Sequence, residues 1–481
     1  MLEQVIPRFK LTKSFLVGTA LIVIGSIGFD LYVVENRISY REVIVGLAGL
    51  IVAVIVFGGA RGIRFGFVLW VLTLALGYRT LEVTPSLRIH PAELLLWLLI
   101  LCLMAHRELV TNHIALPHWL WMFIPFWIFA WWPMIFGDAP WDKMLNEFRN
   151  FLLLIPLIIV APIVLQRRKM WRYLIGGFFV VGAWIALMGV IEYWVPDITK
   201  VFPAFIKDAK AEPTADGFVR AQFSFWGSQS ATFVCALAVP MAVPLAQWWR
   251  RSWQRFSIAF AAALQLLGIY VGGYRSIWLI ILIQVLIALL FGVKRHGLIL
   301  AILCLVVAVS GYQYIPNSHE RVVSSIAAFR GTPLDHSSLD RKERALDAID
   351  RTITSPLGNG WATVGWVHSD FLQVAANQGI VPALIFIIGY LYTLFRLARR
   401  VLFLRSGLNV ERDYLGFALL LAFVTVGGLL TTQGVEVLPQ LILPVWFVWA
   451  LVEVWFRQTA EQTEVSYSYA PGYLYSAANV Q

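Results

Sequence analysis

The chain has 481 residues, of which 59% are hydrophobic and only 14% are charged. A soluble protein of this length needs more polar surface, so the composition predicts a helical membrane protein with many spans. The net charge of +10 would suggest nucleic acid as a partner of a soluble protein. In a membrane protein it is typical of basic cytoplasmic loops, so we predict no nucleic-acid partner.

Unbroken apolar runs of helical length predict the spans, whereas a transmembrane barrel would show short alternating segments. We expect an all-α polytopic protein with roughly 12–14 transmembrane helices, the best count being about fourteen. The first run lacks a small-residue cleavage site, which indicates a signal anchor. The predicted spans are 14–34, 43–60, 65–82, 92–106, 118–136, 150–166, 173–195, 222–247, 256–273, 276–293, 297–314, 379–398, 414–432 and 438–456.

Basic residues predict the orientation of these spans. The loops with most arginine and lysine, such as 167–169, 250–255 and 396–400, all fall on one side, which the positive-inside rule makes cytoplasmic. Four regions follow from this orientation. They are N-terminal transmembrane helices with short loops (1–314), a large periplasmic loop with short helices (315–378), C-terminal transmembrane helices (379–456) and a cytoplasmic tail (457–481).

The large loop contains signals for two helices. Ser337-Ser338-Leu339-Asp340 is typical of a helix start, and Leu339, Leu346, Ile349 and Ile353 recur on one helical face. Turn residues at 355–360 end that helix. Ser369 is the predicted cap of a second helix, which ends or kinks at Gly379. His368 then stands at a helix N-terminus, which tends to lower its pKa and favours the neutral imidazole that a general base requires.

Two arginines on the predicted outer side are candidates for binding an anion. Arg275 lies between two spans with almost no loop, and Gly272 and Gly273 before it allow close approach of another group. Its guanidinium matches a phosphate with two parallel hydrogen bonds. The alternative is an arginine anchored among the outer headgroups. Arg220 is either a second phosphate ligand or an ordinary charge beside the membrane.

Further candidates lie near these arginines in the predicted topology. Gln229, about two turns inside its predicted span, suggests a polar cavity. His368 is either a solvated loop residue or a general base, and Asp370 either orients the imidazole or is itself the base. Arg341 begins a helix that either folds over the site or is simply solvated.

Several motifs are missing from the sequence. No outer loop contains an Asp-x-Asp pair, no Walker sequence occurs, and no histidine–carboxylate spacing is typical of a metal site. We therefore predict neither a metal nor a cofactor.

The candidates occur in motifs that resemble a known family. Arg275 lies in a Tyr-Arg-Ser-x-Trp-Leu turn, Arg220 follows the first long outer segment, and the large loop precedes the last spans. That loop contains Pro356-Leu357-Gly358-Asn359-Gly360, His368-Ser369-Asp370-Phe371-Leu372 and Asn377-Gln378-Gly379-Ile380, and the stretch 85–93 also fits. In this order and spacing the chain resembles the O-antigen ligase/polymerase superfamily of bacterial envelope glycosyltransferases.

The resemblance implies a helical fold similar to the GT-C class, in the bacterial inner membrane, with the active site facing the periplasm. It implies an inverting, metal-independent transfer of a glycan from undecaprenyl diphosphate. Arg220 and Arg275 would then hold the diphosphate, with Gln229 and Arg341 as possible additions, and His368 would be the base. Ser369 stands where the family often has asparagine, so no asparagine side chain acts there.

The acceptor distinguishes the functions within this superfamily. The single large loop favours an O-antigen ligase, which transfers the glycan to lipid A-core. The alternatives are a polysaccharide polymerase, which uses a second lipid-linked repeat, and a protein O-glycan ligase. A lipid-linked sugar transporter is the alternative of another class, but transporters place charges near the bilayer midplane and often contain repeated halves.

Overall fold

The protein is almost entirely helical in the part that the structure describes. This computed structural model describes residues 51–76, 81–82, 88–106, 118–137, 139–195, 220–221, 223, 227–249, 251–291, 294–314, 323, 336–365, 367–403, 410–432 and 439–468. Two-residue strands β1 (Leu81–Glu82) and β2 (Arg88–Ile89) pair antiparallel, with Leu81 opposite Ile89. The chain divides into two units after Gly62. In the first unit, residues 51–57 are helical.

The first helices of the described part of the chain range from 7 to 27 residues in length. In chain order they are α1 (Gly59–Thr73), α2 (Pro91–Ala105), α3 (His118–Phe136), α4 (Trp141–Leu152), α5 (Leu154–Leu165), α6 (Arg168–Trp194), α7 (Ser228–Ala238) and α8 (Ala242–Trp248). Short 3-10 turns, Leu74–Leu76 and Val239–Met241, follow α1 and α7.

The remaining helices contain Arg275, Arg341 and Asp370, three of the six predicted site residues. They are α9 (Ser252–Gly272), α10 (Arg275–Phe291), α11 (Lys294–Tyr314), α12 (His336–Thr354), α13 (Asp370–Gln378), α14 (Ile380–Ala398), α15 (Val410–Thr432) and α16 (Pro439–Ser468). A π-helical turn, Arg399–Phe403, follows α14.

Seven helical segments in the described part of the chain are long and apolar enough to cross a membrane. They are Trp141–Leu165, Lys169–Trp194, Gln229–Trp248, Ser252–Gly272, Ile380–Leu402, Asp413–Thr432 and Leu441–Thr459. Three shorter apolar helices, Pro91–Ala105, Arg275–Phe291 and Ala301–Gln313, also coincide with predicted spans. The all-α, polytopic class is therefore supported, and the total of 12–14 spans stays a prediction. The predicted signal anchor at 14–34 lies outside the described residues.

Small residues bring α6 and α9 into close contact. A Cβ atom on Gly268 of α9 would lie 2.8 Å from the Cβ and 3.0 Å from the Cα of Ala186 on α6. Three residues before Gly268, the Gln265 side chain of α9 donates a hydrogen bond to the Phe179 carbonyl of α6 at 3.0 Å. Small residues and buried amides are typical of helix contacts in apolar surroundings, where hydrophobicity does not distinguish helix from lipid.

Helices α10 and α15 pack side by side in opposite directions. The Gln284 amide of α10 donates hydrogen bonds to the Leu421 carbonyl at 3.3 Å and to the Thr425 hydroxyl of α15. Nearer the start of α10, the Ile280 side chain packs directly on Gly428, where any Cβ would overlap it. The start of α10 therefore lies at the same end of the bundle as the last turn of α15.

One predicted span boundary is wrong. The span expected at 222–247 begins only at Ser228, since Gly227 takes a positive φ of 67° and residues 220, 221 and 223 are not helical. Gln229 therefore lies in the first turn of α7 and not two turns inside the span. Nearer the C-terminal end, α16 continues to Ser468, and the cytoplasmic tail at 457–481 stays a prediction.

The close approach of α6 and α9 leads to a prediction about two glycines. Gly268→Ala should lower the melting temperature of the detergent-solubilised protein, because overpacking a tight contact costs about 1–3 kcal/mol. Gly176→Ala on α6 is the matched control, since its Cβ would meet only the Leu245 Cδ2 atom at 3.8 Å. Equal melting temperatures for the two variants would contradict this packing.

Candidate functional site

The segment before α7 places Arg220 beside the turn between α9 and α10. The Ala221 amide donates a hydrogen bond to the Val271 carbonyl at 3.1 Å, which fixes the backbone next to Arg220. The Arg220 guanidinium lies 4.7 Å from the centre of the Tyr274 ring, an arrangement in which a cation is attracted to the ring face. Arg275 follows directly and is the first residue of α10. The structure therefore brings the two predicted arginines together.

Phe223 holds this irregular segment in the bundle. Its backbone has a φ of 52°, which is unusual for a residue with a side chain, and its ring is buried. The ring occupies the space that a side chain on Gly189 of α6 would fill, and it lies 3.4 Å from where a Cβ on Gly272 would be. The glycines thus make room for a ring that fixes Arg220 against α9.

Gln229 lies at the same end of the bundle as the arginines. The Gln229 side chain is buried, and the Gln229 backbone carbonyl accepts a hydrogen bond from the Thr232 hydroxyl at 2.8 Å. Thr232 in turn packs on Gly272, where a Cβ would overlap its methyl group. Gln229 therefore belongs to the polar first turn of α7, close to the Arg220 segment.

The N-terminus of α13 contacts the last turn of α15. Ser369 occupies the N-cap position, but its hydroxyl makes no capping bond and instead donates to the Leu430 carbonyl at 3.5 Å. The predicted capping role of Ser369 is therefore wrong, although the predicted helix is present and ends at Gly379, whose φ is 103°. Asp370 begins α13 and is almost fully buried, and His368 beside it is partly buried.

The charges around His368 come from α12. Partial burial is the largest cause that lowers the pKa of His368, from 6.5 to about 4. The nearby guanidinium groups of Arg341 and Arg344 contribute to this lowering of the pKa, and the Asp340 carboxylate opposes it. The prediction of a neutral imidazole agrees with this shift, but the cause is burial and arginine charge on α12. Trp366, two residues before His368, lies outside the described residues.

The arginine pair and His368 lie at one end of the bundle. Ile280 packs on Gly428, and Arg275 is five residues before Ile280. Arg275 therefore lies about 7.5 Å beyond this contact, towards the start of α10 and the end of α15. Leu430, which contacts Ser369, lies two residues beyond Gly428 in the same direction. Helices α7, α9, α10, α12, α13 and α15 therefore all contribute to this end.

Helix α4 holds the segment that leads to His368, a role that the sequence did not indicate. The Glu147 carboxylate accepts a hydrogen bond from the Ala362 amide at 2.8 Å and faces the Asn377 amide at 3.4 Å. Asn377 and Gln373 of α13 accept bonds from the Val364 and Val367 amides at 2.9 and 3.0 Å. Ala362 has a φ of 58°, so a side-chain acceptor supports an otherwise strained backbone.

Trp361 anchors the same segment through its ring. It is fully buried, its indole donates to the Ala130 carbonyl of α3 at 2.6 Å, and Phe148 and Phe151 contact it edge to face. The signal for Glu147 in the sequence is an ionisable residue four positions before the apolar run that begins at Phe151. An ionisable residue is costly in a membrane and usually functional. The signal for Trp361 is a large aromatic residue directly after the Gly-x-Gly turn.

The early motif at 85–93 is described by the structure from residue 88 onward, and this part has a structural role. The His90 imidazole caps α2 by accepting from the Ala92 amide at 3.1 Å, and Glu93 accepts from the His90 amide at 3.0 Å. Glu93 also pairs with Arg149 of α4 at 3.0 Å, and both are largely buried. This motif therefore ties α2 to the helix that contains Glu147.

Among the described residues, no group of three or more His, Cys, Asp or Glu side chains is placed to bind a metal ion. Comparison of the sequence with models of known protein families gives no match, and comparison with characterised proteins gives none either. The assignment of function therefore depends on the residues of the site.

The hydrogen bonds of Glu147 lead to a prediction about the His368 segment. Glu147→Leu should remove the acceptor for the Ala362 amide and increase hydrogen exchange at Ala362 and Val364, because both amides depend on this network. Glu147→Gln is the matched variant, since it keeps an oxygen that accepts the same bond. Unchanged exchange in Glu147→Leu would show that the carboxylate does not hold the segment.

The charges on α12 lead to a prediction about His368 itself. In histidine-labelled protein, the NMR signal that His368→Gln removes should titrate near pH 4. Arg341→Gln should move that pKa upward, towards 6.5, because a nearby positive charge is lost. Arg351→Gln removes a charge further along the exposed side of α12 and should leave the titration unchanged.

The same shift predicts how the stability of the fold depends on pH. Between pH 6.5 and about 4 the unfolded chain binds a proton at His368 and the folded chain does not, so this residue makes stability fall as the pH falls through that window. A larger or equal pH effect on the stability of His368→Gln would contradict the assignment.

Proposed function

We propose that the protein is a membrane glycosyltransferase of the O-antigen ligase type, which transfers a glycan from undecaprenyl diphosphate to lipid A-core on the periplasmic side of the inner membrane. The observation that carries this proposal is the convergence of Arg220, Arg275 and His368 at one end of an all-helical bundle. The first two supply fixed positive charge, and the third supplies a nitrogen that is neutral near pH 7.

The proposed reaction is a single inverting displacement. The oxygen of an acceptor hydroxyl forms a bond to the anomeric carbon of the donor glycan. The bond from that carbon to the diphosphate oxygen breaks, and undecaprenyl diphosphate leaves with the electron pair. The hydroxyl proton goes to the base. The charges balance because the base gains one positive charge with the proton and the leaving diphosphate gains one negative charge with the electron pair.

The arginine pair suits the leaving group in this reaction. Negative charge grows on the diphosphate as the bond breaks, and fixed cations aimed at it lower the barrier. Arg220 stacks on Tyr274, whose neighbour in the chain is Arg275, so the Arg220 guanidinium is positioned beside the start of α10 before any ligand binds. Two arginines so placed are suited to act where other glycosyltransferases use a divalent cation.

His368 suits the role of base. Its lowered pKa keeps the imidazole neutral at pH 7, and the cationic side chains of Arg341 and Arg344 account for part of that lowering. A bound diphosphate would offset this positive charge and raise the basicity of His368 when the donor is present. Asp370, buried two residues further on, would orient the imidazole or would itself accept the proton.

Transfer by purified protein in lipid vesicles tests the proposal. With undecaprenyl-diphosphate glycan and lipid A-core, Arg220→Ala and Arg275→Ala should each reduce kcat on the order of 10²-fold. His368→Ala should reduce it by about 10²- to 10⁴-fold. Arg255→Ala, at the opposite end of α9, is the matched control and should retain normal rates. Normal rates in all three site variants would refute the assignment.

The acceptor and a chelator distinguish the alternatives in the same assay. Elongation of the glycan on a second lipid-linked repeat, without lipid A-core, would indicate a polymerase. Transfer to a serine or threonine side chain would indicate a protein O-glycan ligase. Movement of the lipid-linked glycan across the vesicle membrane without a new bond would indicate a transporter. Loss of transfer on addition of a chelator would contradict the metal-independent reaction.

A further inference from the structure

Helix α12 places its apolar stripe away from the protein. Leu339, Leu346, Ile349 and Ile353 recur on one face, as the sequence predicts, and they are 44%, 55%, 41% and 71% exposed. An amphipathic helix on a soluble surface normally buries such a stripe. Among the residues that the structure describes, no protein core covers these four large apolar side chains.

The opposite face of α12 packs on the site. Ala348 is fully buried in a small core with Val364, Val367 and Ala376, and Leu372 packs against it. Ala348 is about 140–160° around the helix axis from Leu346 and Ile353, since each residue turns the helix by about 100°. Arg341 lies on the packed face and acts electrostatically on His368. The helix therefore presents small and basic residues inward and its large apolar residues outward.

Exposed apolar residues also follow the stripe along the chain, up to and within a candidate membrane span. After Ile353 the chain reaches Leu357, which is 56% exposed and lines a cavity of about 300 Å³ with Phe129 and Trp132 of α3 and Val381 of α14. Down α14, a candidate membrane span, the exposed line continues through Leu384, Ile388 and Leu391. Exposed apolar residues therefore follow the stripe along the chain, at Leu357 and on one side of α14.

The charges of α12 are arranged for a boundary between lipid and water. Asp340 pairs with Arg344 at 3.0 Å and Asp347 with Arg351 at 2.9 Å, and both pairs are exposed on the flank beside the stripe. A helix with a charged flank and an apolar face, at the end of a transmembrane bundle, has the properties of helices that lie in the headgroup region. An apolar surface of this extent would otherwise be costly in water.

We propose that α12 lies in the plane of the membrane surface, with Leu346, Ile349 and Ile353 inserted at the boundary between headgroups and acyl chains. The bilayer is then the partner that covers the stripe, and it keeps the opposite face of the helix packed on the site. This seating keeps Arg341 and Arg344 next to His368. It does not depend on the reaction that the site catalyses.

Spin labels on single cysteines test this seating in the full-length protein. The background has Cys102, Cys235 and Cys304 replaced by alanine, and the protein is placed in nanodiscs of phosphatidylethanolamine and phosphatidylglycerol. Labels at Ile349→Cys and Ile353→Cys should collide with oxygen severalfold more often than with a water-soluble nickel chelate. A label at Asp347→Cys, on the charged flank of the same helix, is the matched control and should show the reverse preference.

Two outcomes would overturn the proposal. Equal nickel accessibility at positions 347, 349 and 353 would place the stripe in water. Spin–spin broadening at 349 and 353 in nanodiscs with two copies, together with water exposure in nanodiscs with one copy, would show that a second copy covers the stripe. These substitutions are at exposed positions, and a melting temperature equal to that of the parent protein confirms that each labelled variant is folded.

Discussion

A buried carboxylate and a buried indole hold the segment that leads to His368, and the site depends on them. Glu147 accepts from the Ala362 amide, and Trp361 fills the space among Phe148, Phe151 and the Ala130 carbonyl. Because both anchors lie in the helical bundle, the segment cannot shift without disturbing α3 and α4. The same segment leads into α13, whose start touches α15, so this anchoring sets the position of His368 relative to the bundle end.

The arginine side of the site depends on a different contact, the packing of an aromatic ring directly against the backbone of two glycines. Gly189 and Gly272 leave room for Phe223, and that ring fixes the irregular segment before α7. Arg220 then rests on Tyr274 beside the first residue of α10. A helical continuation through 222–227 would carry Arg220 away from that turn, so the broken start of α7 is what joins the two arginines. Their convergence with His368 is the basis for the proposed diphosphate site.

The sequence predicted the helices far better than the contacts between them. Apolar runs and turn glycines located most spans and both loop helices, because they depend on local composition. The start of α7 was wrong because Gly227 and Phe223 adopt positive φ values that tertiary packing imposes. The sequence shows the apolar face of α12 but not that it points outward, because that depends on how Ala348 packs. An ionisable residue near an apolar run singles out Glu147, but its partner Ala362 lies more than 100 residues away and is not indicated by any local pattern. All six candidate residues, Arg220, Gln229, Arg275, Arg341, His368 and Asp370, fall at one end of the bundle, and their chemical roles remain predictions.

The affinity for undecaprenyl diphosphate tests the central claim most directly, because it requires neither acceptor nor reaction. Each of Arg220→Gln and Arg275→Gln should weaken binding about 10- to 100-fold, since a hydrogen bond between charged groups contributes about 1.5–3 kcal/mol. The double variant should lose less than the product of the two effects, because the guanidinium groups share one ligand. Arg255→Gln should bind normally. An unchanged affinity in both single variants would contradict the account of the site.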